Sequence, residues 1–159
     1  MEKLNLEILW EDENVMVINK PAGVVVNRAE SIKGETVQDW TDRVIARPLN
    51  GRSNLYRSPR EYARDDGVAG ARDDESMEGE VFRKRSGVAH RLDKETSGCL
   101  LIAKNPQTLT LLLAQFKERI IKKEYLALVH GHLTPREGPI RLPLSRSRFD
   151  REKWEVKYS

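Results

Sequence analysis

The chain has 159 residues, a net charge of +3, and 33% charged against 38% hydrophobic side chains, enough for one sizeable core but too polar to be core throughout. Its one cysteine, Cys99, excludes an internal disulfide, and the acidic, charge-broken start MEKLNLEILWEDEN excludes a signal peptide. No apolar run approaches the ~20 residues of a membrane-spanning helix, so the reading is a soluble protein of a reducing, cytoplasmic compartment, and the small basic excess fits a polyanionic partner.

Leu6, Ile8 and Trp10 alternate weakly with Glu7 and Leu9, and Glu11-Asp12-Glu13-Asn14 reads as a turn. Val15-Met16-Val17-Ile18 is a continuous β-branched run, which predicts a buried strand. Lys20-Pro21-Ala22-Gly23 ends it, and Val24-Val25-Val26 can begin another strand. A helix follows. Thr36 can cap it with Asp39 three residues on, Val37, Trp40 and Val44 share a face, and Pro48 stops it.

From Pro48 to Arg85 the chain is rich in Gly, Ser, Arg and Asp, with no sustained period. This stretch reads as an insertion with little fixed structure. Tyr56 and Tyr62 stand among its arginines and could stack on nucleobases; a solvated loop is the plainer reading.

Order returns at Gly87. Cys99 to Ala103 predicts a buried strand, which would make Cys99 a packing residue rather than a nucleophile. Asn105-Pro106 is a strong helix start, with Leu109, Leu112, Leu113, Phe116 and Ile120 on one face and a basic last turn from Lys117 to Arg119. Lys123 to Gly131 predicts a strand with Tyr125, Ala127 and Val129 on one side and Leu126 and Leu128 on the other. Trp154, Val156 and Tyr158 alternate with Glu155 and Lys157 in a last amphipathic strand.

The stretch HRLDKETSG, His90 to Gly98, places an aspartate at the mouth of a strand between Arg91 and Lys94. Nearby cations favour a carboxylate, Thr96 and Ser97 can hydrogen-bond the turn, and Gly98 can take a backbone shape other residues resist. An ionised acid held in such a turn can serve as a nucleophile or base, although a charged turn before a strand is also common. His90, His130 and His132 could suggest a metal, but no Cys or acid is spaced to complete a tetrahedral site, so none is expected. The basic run Arg141, Arg146, Arg148, Arg151 and Lys153 is either a solvated surface or a phosphate contact.

HRLDKETSG resembles the HRLDxxTSG motif of the RluA-type RNA pseudouridine synthases, with His90, Arg91, Leu92, Asp93, Thr96, Ser97 and Gly98 at its fixed positions. Asn19-Lys20-Pro21-Ala22-Gly23 resembles that family's first motif, and Lys123-Glu124-Tyr125-Leu126-Ala127 its KxYxA motif, in the same order. The resemblance implies an α+β fold, a mixed, largely antiparallel sheet with packed helices. Residues 1–159 would be the N-terminal part of such a catalytic domain, with the insertion at 48–85. It implies isomerisation of a uridine in ribosomal or transfer RNA, with Asp93 as the essential aspartate, attacking the sugar or stabilising a glycal route, and Tyr125 stacking on the base. Arg91, Lys20 and His90 would be RNA-side residues, with Lys20 in a motif that supports the site. No cofactor or metal is implied, and a monomer without membrane contact is expected.

Three features depart from the family pattern, the first being that the insertion from about Pro48 to Arg85 is longer than expected. No S4-like RNA-binding module precedes the first strand, and a TGRxHQIR-like motif, which would supply a basic partner for the aspartate, is not found before Ser159. The expectation is therefore an incomplete fold, and the alternative to an enzyme is a relative that only binds RNA.

Overall fold

The computed structural model describes residues 3–45, 76–134, 137–150 and 153–157. These fall into two compact units, Met1–Lys122 and Lys123–Ser159. The expectations at Pro48, Tyr56, Tyr62, Arg151 and Tyr158 lie outside the described residues.

In the first unit, β1 (Glu7–Glu11), β2 (Val15–Lys20) and β3 (Gly98–Ala103) form an antiparallel sheet in the order β1-β2-β3. The central register runs from Val15 opposite Ala103 to Lys20 opposite Gly98. With side chains alternating, Met16, Ile18 and Lys20 bury beside Leu100 and Ile102, while Val15 and Val17 are only half-buried. The sequence run VMVI is therefore one-sided rather than buried throughout. On β1, all five residues are exposed and the register shifts between Ile8 and Trp10, which breaks the alternation expected there.

The β1–β2 turn is tied by its own aspartate. Asp12 Oδ1 accepts from the N–H groups of Asn14 and Val15, both at 2.7 Å. Those two donors hold its carboxyl below the ordinary aspartate range. Lys104 Nζ then clamps the turn, donating to Glu11 Oε1 at 2.8 Å and the Asp12 carbonyl at 2.6 Å.

Helix α1 (Val37–Ile45) starts as its sequence predicts. Thr36 Oγ1 accepts from the Asp39 N–H at 3.3 Å, and Asp39 Oδ2 accepts in return from the Thr36 N–H at 3.0 Å and its hydroxyl at 2.7 Å. Val37, Trp40, Thr41 and Ile45 are buried and Val44 half-buried. Val24 to Val26 form no strand; the carbonyls of Val25 and Val26 instead accept from the first helical N–H groups, Val37 and Gln38.

Arg28 reaches two acids of α1, with Nε 2.7 Å from Asp39 Oδ1 and Nη2 against Asp42 Oδ2. Burial opposes the charge on Asp39, but Arg28 and Thr36 outweigh it, so its carboxyl lies below 3.8. At Asp42 burial wins over the Ser86 hydroxyl and Arg28, so that carboxyl lies above 3.8. The two acids then act oppositely on acidification. Asp39 contributes stability that is present above its unfolded pKa and is lost as pH falls through its lower folded value. Asp42 binds a proton more tightly when folded, so its contribution is present below 3.8 and is lost as pH rises through its folded value. Asp39→Asn is thus expected to flatten the loss of stability below pH ~4, and Asp42→Asn to cost less at pH 7 than at pH 4. Both effects stay within about 1 kcal/mol because Arg28 is partly solvated. Urea midpoints at pH 7, 5 and 3.5 read this directly, and equal slopes in the two variants would contradict it.

Helix α2 (Met77–Arg85) corrects the reading of little fixed structure over the last part of 48–85, and residues 48–75 lie outside the described residues. Ser76 caps it through Oγ, which accepts from the Gly79 N–H at 3.1 Å, and Glu78 and Glu80 sit in the first turn with Arg83, Lys84 and Arg85 in the last. Phe82 carries it into the core, fully buried. It ends on Ser86 and Gly87, both left-handed, with φ of 53° and 74°. Gly87 lies against β3. A Cβ there would sit 2.2 Å from the Ala103 carbonyl oxygen.

Helix α3 (Pro106–Lys117) is capped by Asn105 Oδ1, which accepts from the Thr108 N–H at 2.8 Å. Leu109 is buried, with Leu112, Leu113 and Phe116 packed against the core. The helix stops before Ile120, which is 61% exposed, so Ile120 is not part of the packed face.

The second unit contains one two-stranded ladder, β4 (Leu144–Arg146) with β5 (Trp154–Val156), antiparallel, with Arg146 opposite Trp154. Lys123 to Gly131 does not form the expected strand, and Leu126 and Leu128 are fully exposed. Alternation makes a strand only when a neighbour supplies a ladder of hydrogen bonds, and among the described residues of this unit the ladder is that of β4 with β5. The architecture is α+β, with every described strand pair antiparallel.

Candidate active site

The motif around Asp93 is a loop held at both ends by β3. Gly87 to His90 run beside that strand: Val88 bridges to Ile102, the Ala89 N–H donates to the Leu101 carbonyl at 3.2 Å, and the Ala103 N–H donates to the Gly87 carbonyl at 2.8 Å. At His90 the ladder continues through a side chain. Its Nε2 accepts from the Leu101 N–H at 3.1 Å, and the ring packs on Phe116 of α3 with centroids 4.7 Å apart. Accepting that bond leaves Nε2 without a proton, so the neutral ring carries its hydrogen on Nδ1.

Beyond His90 the chain leaves the sheet. Leu92 turns inward and is buried, while Arg91 and Asp93 turn out, with side chains 71% and 85% exposed. The Thr96 N–H closes the turn on the Asp93 carbonyl at 3.1 Å, and Gly98, with φ of 129°, returns the chain to β3. Arg91 Nη2 lies 3.8 Å from Asp93 Oδ1, and Lys94 Nζ lies 3.9 Å from Glu95 Oε1. The backbone is thus fixed while the carboxylate stays in water with one loose cation beside it.

The turn has a second anchor. Lys20, at the end of β2, has no exposed surface. Its ammonium donates to the carbonyls of Pro21 at 2.9 Å, Val24 at 2.9 Å and Lys94 at 3.0 Å. The Lys94 carbonyl also accepts from the Gly23 N–H at 2.8 Å. NKPAG and HRLDKETSG are therefore two halves of one substructure. Burial lowers the pKa of Lys20, and the charges of Glu95 and Asp93 work against that shift. Grouped above with RNA-side residues, Lys20 has its three protons committed to protein carbonyls, so in this structure it supports the site and offers nothing to a phosphate. Lys20→Met keeps the volume and removes all three donors. It is expected to cost about 2 kcal/mol, since orphaned carbonyls outweigh the recovered solvation of the ammonium. A urea midpoint unchanged from the parent would show that water replaces the lysine at no cost.

His90, Arg91, Asp93 and Lys20 thus come together within the first unit, and Tyr125 belongs to the second, 60% exposed. Cys99, expected to be buried, is exposed, because its place opposite Asn19 puts it on the outer face of the sheet. His130 and His132 are exposed, and among the described residues no three His, Cys, Asp or Glu gather as a metal site. No helix among the described residues is long and apolar enough to cross a membrane. The Lys94 carbonyl escapes any reading of the sequence, since a backbone acceptor has no residue signature; the pairing of a lysine with Pro-Ala-Gly was the only hint.

Comparison with known proteins gives the family. The family described as RNA pseudouridylate synthase matches residues 14–159. The ribosomal large subunit pseudouridine synthase D of Zymomonas mobilis is 32% identical over 155 residues, 98% of this chain and 40% of that protein. An uncharacterized RNA pseudouridine synthase of Bacillus subtilis is 30% identical over 155 residues, 98% of this chain and 42% of that protein. The synthase D of Neisseria meningitidis serogroup B is 31% identical over 155 residues, again 98% of this chain and 33% of that protein. The chain therefore spans about two fifths or less of the length of these relatives.

Proposed function

The chain belongs to the RNA pseudouridylate synthase family, and from that premise we propose that it serves the isomerisation of uridine to pseudouridine within RNA, with Asp93 as the reacting carboxylate. The observation that carries the reading is the turn itself: its backbone is pinned by Lys20, Gly23 and β3, while the Asp93 side chain is left open to a ligand. A group positioned in advance and desolvated only when substrate covers it suits reaction at a nucleotide drawn out of its stack.

The reaction balances without redox change. The C1′–N1 bond of uridine breaks with the electron pair leaving on uracil. Asp93 either bonds to C1′ or takes the C2′ proton to leave a glycal, returning that proton when the new bond forms, and the uracil turns in between. A new C5–C1′ bond then forms, the carboxylate is released, N1 gains a proton and C5 loses one. Tyr125 is assigned to stack on the base, worth ~1–3 kcal/mol. Arg91, exposed beside Asp93, is assigned to the nucleotide's backbone, and His90 to fixing the turn from below. The proposed reaction uses no cofactor or metal, and a cytoplasmic monomer acting on RNA is the accompanying proposal. The names of the relatives from Zymomonas and Neisseria favour large-subunit ribosomal RNA over transfer RNA as substrate.

The test is carbodiimide-stop mapping of ribosomal and transfer RNA transcripts incubated with this chain. New stops in the ribosomal transcript are expected. RNA that is bound but never modified would replace this reading with that of an RNA-binding relative.

A further inference from the structure

In HRLDKETSG the step from sheet to turn is made by a side chain. Residues 87–89 meet β3 through backbone groups: Val88 bridges to Ile102, the Ala89 N–H donates to the Leu101 carbonyl, and the Gly87 carbonyl accepts from the Ala103 N–H. The next acceptor is the His90 ring, whose Nε2 takes the Leu101 N–H at 3.1 Å. Asp93 follows three residues later.

A backbone carbonyl accepts at every pH. An imidazole accepts only while it is neutral, because the imidazolium carries a hydrogen on each nitrogen and donates from both. A proton on Nε2 would set two N–H groups against each other and end the bond to Leu101. The ring is half-buried with its face on Phe116, centroids 4.7 Å apart, so turning away costs it that packing. The elements packed on it offer little to a positive ring. On β3 the titratable side chain is Cys99. On α3 the charged one is Lys117, with Glu118 and Arg119 just past the helix end, all three exposed. On its own segment stand Arg91 and Asp93, both exposed and 3.8 Å apart. Cations outnumber acids in this set, so it gives an imidazolium no net attraction to offset the lost bond.

We propose that His90 is a positioning residue whose neutral ring latches the start of the Asp93 turn to β3, and that one proton on Nε2 undoes the latch. The proposal rests on the assignment of Asp93 above and deepens it: the pH at which the site is held together is set by a neighbouring imidazole, independently of the charge on the carboxylate. The turn keeps its other anchors, Leu92 and the Lys94 carbonyl, so the release is local to residues 90 and 91. A shift of ~1 Å in a reacting group is enough to cost up to ~100-fold in rate.

Amide hydrogen exchange of the full chain between pH ~7.5 and ~5.5 tests it, with the His90 ring resonances marking where that residue protonates. In the parent the protection factor of the Leu101 N–H is expected to fall roughly 2- to 12-fold as His90 takes up its proton, the range one hydrogen bond implies. The Lys104 N–H, which donates to the Asn14 carbonyl away from the latch, should keep its protection. His90→Gln places a carbonyl oxygen at about the reach of Nε2 and does not titrate, so its Leu101 N–H should stay protected at both ends of the range. His90→Phe keeps a ring on Phe116 without an acceptor and should be unprotected there throughout; should it fail to fold, the parent and His90→Gln decide. The latch is overturned if the parent keeps full Leu101 protection once His90 is protonated, if the ring takes up no proton before the chain unfolds, or if His90→Gln or the Lys104 N–H loses protection in step with the parent. The rate of pseudouridine formation at saturating RNA, read on the same series, should fall in the parent along the curve of Leu101 protection and hold in His90→Gln; a rate that ignores the lost bond overturns the positioning role. Turnover with a Leu101 N–H blind to pH sinks the latch alone, while a pH-linked Leu101 N–H in a chain that modifies no RNA sinks only the catalytic reading.

Discussion

Replacing Asp93 with alanine is expected to abolish pseudouridine formation, by at least about a thousandfold, the scale on which removing a reacting group acts. The same change should leave stability within about 0.5 kcal/mol of the parent. The two halves of this expectation have different physical sources. The carboxylate is 85% exposed, and its ion pair with Arg91 is 3.8 Å long with a partner itself 71% exposed, so little folding energy passes through it. The turn keeps its shape by other means: buried Leu92, the Thr96 N–H on the residue 93 carbonyl, and the Lys94 carbonyl held by Lys20 and Gly23. RNA affinity should also persist, since removing one acid does not weaken attraction to phosphates. Carbodiimide mapping, a urea midpoint and an RNA titration on one preparation separate the three. Retained turnover would remove Asp93 from the chemistry, and a large loss of stability would mean that the side chain is structural after all.

Gly87→Ala should act in the opposite way, destabilising by about 3 kcal/mol or more with no contact to any reacting atom. Part of the cost is conformational, because φ of 74° suits glycine and few others. The larger part is steric. The new Cβ would meet the Ala103 carbonyl oxygen at 2.2 Å, and that atom belongs to the backbone of β3, so no flexible side chain can give way. Relief requires separating residues 87–90 from β3, the same contact that carries His90 and the turn. Gly23→Ala is the control: φ is 85° but nothing lies within 4 Å of its Cβ, so only the backbone cost of ~1 kcal/mol remains. Chemical denaturation of the pair checks this, and equal losses would show that strain rather than the clash decides.

Features governed by local chemistry were legible in the sequence. The Asn105-Pro106 start of α3, the Thr36–Asp39 box of α1 and the strand ahead of Lys20 follow from short-range hydrogen bonds and β-branched runs. The grouping of Asp93, Arg91 and His90 came from a contiguous motif. Features governed by partners were not legible. Helix α2 buries Phe82 and Gly79 and little else, so it has no apolar stripe, and its signals were only a cap and a charge gradient. Lys123 to Gly131 has a strand's alternation without a ladder. Cys99 looked apolar by its neighbours, whereas register decides its face. The motif resemblance grouped Lys20 with the RNA-side residues, and only tertiary structure shows which carbonyls surround it.

That burial gives the chain an internal clock for its own opening. A primary amine with no exposed surface and three occupied protons is invisible to an amine-reactive reagent, whereas Lys94, its neighbour across the turn, is 61% exposed and reacts at once. Labelling of Lys20 must wait for NKPAG and the Asp93 turn to part. The ratio of modification at residues 20 and 94, followed by mass spectrometry, therefore measures how often those two segments separate, under any condition in which RNA is present or withheld.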